Sequence, residues 1–112
     1  MALYLIDTNV MVAASASHDE HSGVINRAMP REVELREQVH AWLHAFEQSD
    51  DALLMDEAML IMDEYERNLP FSPSLRHQEY GLQVLQQKHD RGLIEYVPIE
   101  VQEANGEKVA VL

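Results

Sequence analysis

The sequence contains no cysteine. Disulfides, thiolate nucleophiles and cysteine-ligated zinc are thereby excluded. Glycine is scarce, at four residues, and these form neither a phosphate-cradling loop nor a Gly-x-Ser-x-Gly elbow. No apolar stretch approaches the roughly 20 residues that span a bilayer, so no membrane partner is expected. The N-terminus has no basic segment and meets a carboxylate at Asp7. A cleaved signal peptide is therefore not expected, and the expected location is cytoplasmic. Positive charge is the other shortage: eight Lys and Arg face 20 Asp and Glu, a formal net charge of −12. Such a field repels phosphate backbones at long range and attracts divalent cations instead. A nucleic-acid partner would need bound cations, a local basic patch or a second protein.

What is present is the composition of an ordinary globular domain, 46% hydrophobic and 25% charged over 112 residues. That length suits one domain of the usual size, roughly 100–150 residues. Leu3–Ile6 is a short apolar run with the aromatic and branched residues of a buried strand. It ends at Asp7, and Thr8-Asn9 offers turn or cap chemistry. Val10–Ala14 reads as the start of a helix, and residues 15–29 as an exposed polar loop or frayed helix end. Pro30 is placed to open an amphipathic helix whose inner face carries Leu35, Val39, Trp42, Leu43 and Phe46. Ala52–Met55 reads as a second buried strand, ending at Asp56, an expected N-cap for a helix over 57–68. Ala58, Ile61, Met62, Tyr65 and Leu69 form the inner stripe of that helix. Ser72-Pro73 suits the start of a further helix carrying Leu75, Leu82 and Leu85 and stopping at Arg91-Gly92. Leu93–Val97 is the third strand. Asn105-Gly106 is a two-residue hairpin signal, and Val109–Leu112 is the candidate return strand.

Strands alternating with helices predict an α/β fold, a three-layer α/β/α arrangement around a parallel sheet. Leu3–Ile6 is expected to be the central strand, parallel to Leu53–Met55 and Leu93–Val97. Ligands of such sheets bind beyond the carboxyl ends of the strands, where Asp7 and Asp56 stand. Glu64 lies two turns into the helix after Asp56, with Glu66 nearby. Clustered carboxylates suit Mg²⁺ or Mn²⁺, which take hard oxygen ligands and keep several waters.

The residues at this point carry a resemblance. Leu3-Tyr4-Leu5-Ile6-Asp7-Thr8-Asn9-Val10 resembles the opening strand of PIN domains, an apolar run followed by Asp-Thr-Asn-Val or Asp-Thr-Ser. Ile61-Met62-Asp63-Glu64-Tyr65-Glu66-Arg67-Asn68-Leu69 resembles the family's second landmark, an acidic residue before Tyr on a helix, then a leucine. The resemblance implies Asp7 as the first catalytic metal ligand and Glu64 as the second, with Thr8 or Asn9 at the polar position beside Asp7. It further implies a Mg²⁺- or Mn²⁺-dependent endoribonuclease with an RNA substrate. Many small bacterial members are toxins of toxin–antitoxin pairs, so an antitoxin is an expected protein partner.

PIN domains supply one or two further Asp residues after the third or fourth strand. Here Glu100, Glu103 and Glu107 stand nearby, none in the matching pattern. Residues 1–112 are therefore expected to be a single PIN-like domain lacking the C-terminal acidic segment, either a fragment, inactive as such, or a degenerate member of the family. The uncapped apolar run Val109–Leu112 is expected to pair back through Asn105-Gly106 or, preferentially, with a second copy in a homo-oligomer. Two ligands would hold one ion weakly and could not form a two-metal clamp.

Three other readings compete. A phosphorylatable receiver would use Asp56, but it needs paired acids after the first strand and a late lysine, and neither Lys88 nor Lys108 fits. A zinc site could use His40 and His44, or His18 and His21, although no Glu follows His40 as His-Glu-x-x-His requires. A non-catalytic acidic protein-binding module is consistent with the −12 charge. Arg67, Arg76 and Arg91 are the candidates for a local basic patch.

Overall fold

The computed structural model describes residues 2–70, 78–98, 100–104 and 107–111. Strand β1 (Leu3–Tyr4) leads through Asp7 into helix α1 (Thr8–His18). A 3₁₀ turn at Ile25–Arg27 precedes helix α2 (Val33–Gln48) and strand β2 (Ala52–Asp56). Helices α3 (Leu60–Asn68) and α4 (Tyr80–Asp90) lead to strand β3 (Ile94–Val97). Strands β4 (Glu100–Ala104) and β5 (Glu107–Val111) follow.

The first three strands form a parallel sheet in the order β1-β2-β3. Leu53 sits beside Tyr4 on one side and Ile94 on the other, and Asp56 beside Val97. The chain is thus α/β with a parallel sheet, as expected, but the middle strand is β2. This corrects the expectation that Leu3–Ile6 is central. Among the described residues β1 lies at an edge, which leaves Leu3 46% and Leu5 61% exposed, whereas Leu53 and Met55 are fully buried. A strand buries both its faces only where layers cover both sides of the sheet.

The sheet is crossed twice in the same direction, β1 to β2 to β3. Right-handed connections then lay both sets of helices on one face. Accordingly α1 packs against α2, α3 and α4, and α2 against α4. Leu53 and Met55 join their core, while Leu54 between them is only half-buried. The expected second helical layer is not found among the described residues.

Helix α1 runs on to His18, beyond the expected loop start at residue 15. Ser15 explains this: its hydroxyl donates to the Met11 carbonyl at 2.7 Å and accepts the Gly81 amide at 2.8 Å, both buried. A Cβ on Gly81 would stand 3.0 Å from the Met11 Cβ and 2.9 Å from the Leu69 Cδ1, so the start of α4 lies directly on α1. Helix α2 begins at Val33, three residues after Pro30, and buries Leu43 and Phe46. Leu35 and Trp42, expected inside, are each 44% exposed. Trp42 instead meets Tyr4 edge-on at 5.7 Å beside Phe46.

Three charged side chains are fully buried, Asp56, Glu79 and Lys88, and the last two clamp distant segments together. Lys88 donates to the Ser49 and Asp51 carbonyls at 2.9 and 2.7 Å and lies 4.2 Å over the Phe46 ring. It ties α4 to the turn before β2, and burial, then Arg91, lowers its pKa. Glu79 accepts from the Ser22 hydroxyl at 2.6 Å and the Gly23 amide at 2.9 Å, pinning the loop after α1 to the start of α4. Both satisfy the rule that a buried charge needs hydrogen-bonding partners.

Strands β4 and β5 pair antiparallel, Val101 against Ala110 and Glu103 against Lys108. The apolar C-terminal run therefore pairs back within the chain rather than requiring a second copy. The Asn105-Gly106 turn itself, Leu112 and the Ser72-Pro73 helix start with Leu75 and Arg76 lie outside the described residues.

Candidate functional site

Asp7 follows β1 as the N-cap residue of α1, with an extended backbone (φ −64°, ψ 144°). Its carbonyl accepts the Val10 amide at 3.0 Å, so the backbone begins the helix. Its carboxylate makes no capping bond and is exposed. An N-cap aspartate ordinarily binds the amides of the first turn. Asp7 leaves its oxygens outward, beside the amino end of a helix. Thr8 is buried and Asn9 exposed.

Glu64 lies mid-way along α3, exposed, with Tyr65 next to it fully buried. The Tyr65 hydroxyl donates to the Ile6 carbonyl, the residue just before Asp7. This bond fastens α3 to the end of the first strand. The Tyr65 phenol is pushed well above its usual range, first by burial, then by the Glu64 carboxylate, then by that of Asp7. Both candidate ligands thus act on one phenol, although they stand 57 positions apart in the chain. Glu64, Asp63, Glu66, Leu60 and Arg67 line an open depression of about 670 Å³ along α3. Asp7 is not in that lining.

Asp56 has a different role. It is fully buried, and its two oxygens accept the Leu60 and Ile61 amides at 2.9 and 2.8 Å. Its side chain thus caps α3, but the N-cap residue is Met59 in the left-handed conformation, because a turn at 57–59 precedes the helix expected from sequence to start at 57. With both oxygens occupied inside the fold, it presents none to a phosphoryl donor, which removes the receiver-like reading's acceptor.

Of the two histidine pairs the zinc reading offered, His40 and His44 lie with parallel rings 6.3 Å apart, whereas His18 and His21 turn to different neighbours. His21 lies apart, 3.5 Å from Glu20. His18 instead joins His40, their Nδ1 and Nε2 atoms 3.0 Å apart. His44 turns its Nδ1 towards the Tyr80 hydroxyl at 3.3 Å. Among the described residues no three His, Asp or Glu side chains are grouped to hold a metal ion. Arg91 is engaged with Asp50 at 3.0 Å and with the Glu47 and Ser49 carbonyls.

Sequence reading missed what Tyr65 does beyond filling a stripe, and it missed the burial of Lys88 and Glu79. The Glu-Tyr adjacency was the available signal for Tyr65; the other two carry no local signal. Comparison with protein-family models, curated proteins and solved structures finds no match. No helix among the described residues is long and apolar enough to cross a membrane.

Proposed function

We propose that the chain is a PIN-like, metal-dependent endoribonuclease unit whose Asp7 and Glu64 hold a Mg²⁺ or Mn²⁺ ion. The observation that carries this reading is the Tyr65–Ile6 hydrogen bond, which fastens the helix bearing Glu64 to the chain segment that leads into Asp7, at the carboxyl end of the parallel sheet. Active sites of parallel α/β sheets lie at that end.

The donor set fits such an ion. Two exposed carboxylates are hard oxygen donors, one of them free of capping bonds. Mg²⁺ is commonly held by one or two carboxylates with waters filling the other positions. When bound, the ion supplies an acidified water and a positive charge against the phosphodiester oxygens. The protein's own contribution is positional. Tyr65 locks α3 to Ile6, which fixes Glu64 relative to Asp7. Arg67, on the same face of α3 as Glu64, offers a cation to an incoming phosphate. With a net charge of −12, RNA approaches this surface only once cations are in place. Two ligands account for one ion rather than two. An antitoxin-type protein partner and a homo-oligomer belong to the same proposal.

The test is Mn²⁺ binding by calorimetry together with cleavage of a mixed single-stranded RNA, for wild type and Asp7→Asn. Wild-type binding that is lost in Asp7→Asn supports the reading. Equal binding by both, or none by wild type, overturns it. Cleavage equal in the two variants would come from another site or a contaminant.

A second reading, a non-catalytic protein-binding module, is favoured by exposed apolar side chains around the sheet edge. Leu3, Tyr4, Leu5 and Trp42 are each at least 38% exposed. Unchanged partner capture in Asp7→Asn, with no metal binding by wild type, would favour it.

A further inference from the structure

We propose that His18, His40, His44 and Tyr80 form a proton-sensitive latch that fastens α1, α2 and α4 together and loosens in mild acid. His18 is the last residue of α1, His40 and His44 lie one turn apart on α2, and Tyr80 is the first residue of α4. The His18 ring stacks on Tyr80 at 4.1 Å with 12° between the planes, and His40 packs on the same ring at 4.8 Å. His40 and His44 are nearly coplanar in orientation, 7° apart, at 6.3 Å. Three helices that are distant in sequence thus meet through one set of rings.

The contact between His18 Nδ1 and His40 Nε2, at 3.0 Å, sets the proton count. An imidazolium has N–H donors at both nitrogens and no acceptor. The bond therefore requires at least one neutral ring. A single proton is tolerated, because the N–H···N contact persists and the Tyr80 face favours a cation. A second proton would point two N–H groups at each other and place like charges in contact.

The charged groups around the pair come from every helix of the junction. Helix α1 contributes His18 itself, and α4 contributes Tyr80, which stays neutral through the physiological range. Helix α2 contributes His44 and Glu47, whose Oε1 lies 3.6 Å from His44 Nδ1. Burial opposes the charged form of His40 most strongly, followed by His18 and His44, while Glu47 pulls the other way. The net direction is a His40 pKa below the ordinary 6.5. A base whose folded pKa is lowered contributes stability that is present above 6.5 and lost as pH falls below it. No part of this depends on the Asp7 and Glu64 carboxylates.

The experiment is an NMR titration of the imidazole carbons, with amide hydrogen exchange across the histidine range, about pH 8 to 5. In wild type His40 is expected to titrate below 6.5, and in His18→Gln to move back up towards it. Protection of the last turn of α1 and first turn of α4 should fall severalfold in acid, after correction for intrinsic exchange rates. His40→Phe keeps the stack but takes no proton, so it should hold that protection. A His40 that titrates at or above 6.5, or is indifferent to His18→Gln, overturns the proposal. So does an equal loss of protection in wild type and His40→Phe. If a variant does not fold, wild-type exchange decides the matter, since protection at this junction that does not fall between about pH 8 and 5 overturns the proposal.

Discussion

Asp7 and Asp56 follow neighbouring parallel strands, each after an apolar run and each before a helix, yet they end in opposite states. Asp56 closes the middle strand. It is sealed under α3 and spends both oxygens on the amides that open that helix. Asp7 follows the edge strand, initiates α1 with its backbone alone and keeps its carboxylate in solvent. The same local pattern therefore yields a structural anchor at the end of the middle strand and an exposed carboxylate after the edge strand. Position in the sheet decides between them, because burial removes the water that would otherwise satisfy the oxygens and makes protein donors obligatory.

The contrast is most easily broken at Asp56. Asp56→Ala should cost about 2–3 kcal/mol, the loss of a helix cap together with two part-buried amides left without their acceptor. Urea unfolding measures this, and a loss below about 0.5 kcal/mol would place Asp56 among ordinary surface positions. Asp7→Asn should do the reverse. Its stability should stay within about 0.5 kcal/mol of wild type, while Mn²⁺ affinity falls about tenfold or more.

Tyr65 links the two behaviours, since it reaches from α3 to the carbonyl before Asp7. Tyr65→Phe should lose about 1 kcal/mol, the value of one buried hydrogen bond. It should also weaken Mn²⁺ binding less than Asp7→Asn does. A Phe variant that binds Mn²⁺ as wild type would separate the hydrogen bond from the site.

Alkaline pH probes the tyrosines. Burial, then Glu47, pushes Tyr80 up from 10.0 to about 12. A phenol with a raised folded pKa contributes stability that is present below pH 10.0 and lost as pH climbs through about 12. Denaturation midpoints above pH 10.0 should fall, and Tyr80→Phe should remove part of that slope. The smallest effect is expected at Glu66. It is exposed and lies in the same depression as Glu64, so Glu66→Gln should change stability by less than about 0.5 kcal/mol and leave Mn²⁺ affinity unchanged. A loss equal to that of Glu64→Gln would move the ligand from one side of Tyr65 to the other.

The sequence by itself determined the identity of the three parallel strands, a capping role for the Asp56 side chain and the placement of α2 and α3 to within a few residues, whereas the C-terminal run, expected to pair preferentially with a second copy, pairs back within the chain. The first three follow from local causes: apolar run length, helical periodicity, proline and cap chemistry. Tertiary structure alone decided that β2 rather than β1 is the middle strand, that the helices form one layer among the described residues, and that Leu35 and Trp42 face outward. It also decided that Lys88 and Glu79 are buried as clamps, and that His18 meets His40 rather than His21. Each of these depends on a partner 20 or more residues away: Ser49 and Asp51 for Lys88, Ser22 for Glu79, His40 for His18. Periodicity gives the face a residue lies on. Which element covers that face is set by long-range packing, and that packing determines whether a charge is sealed in or left to bind.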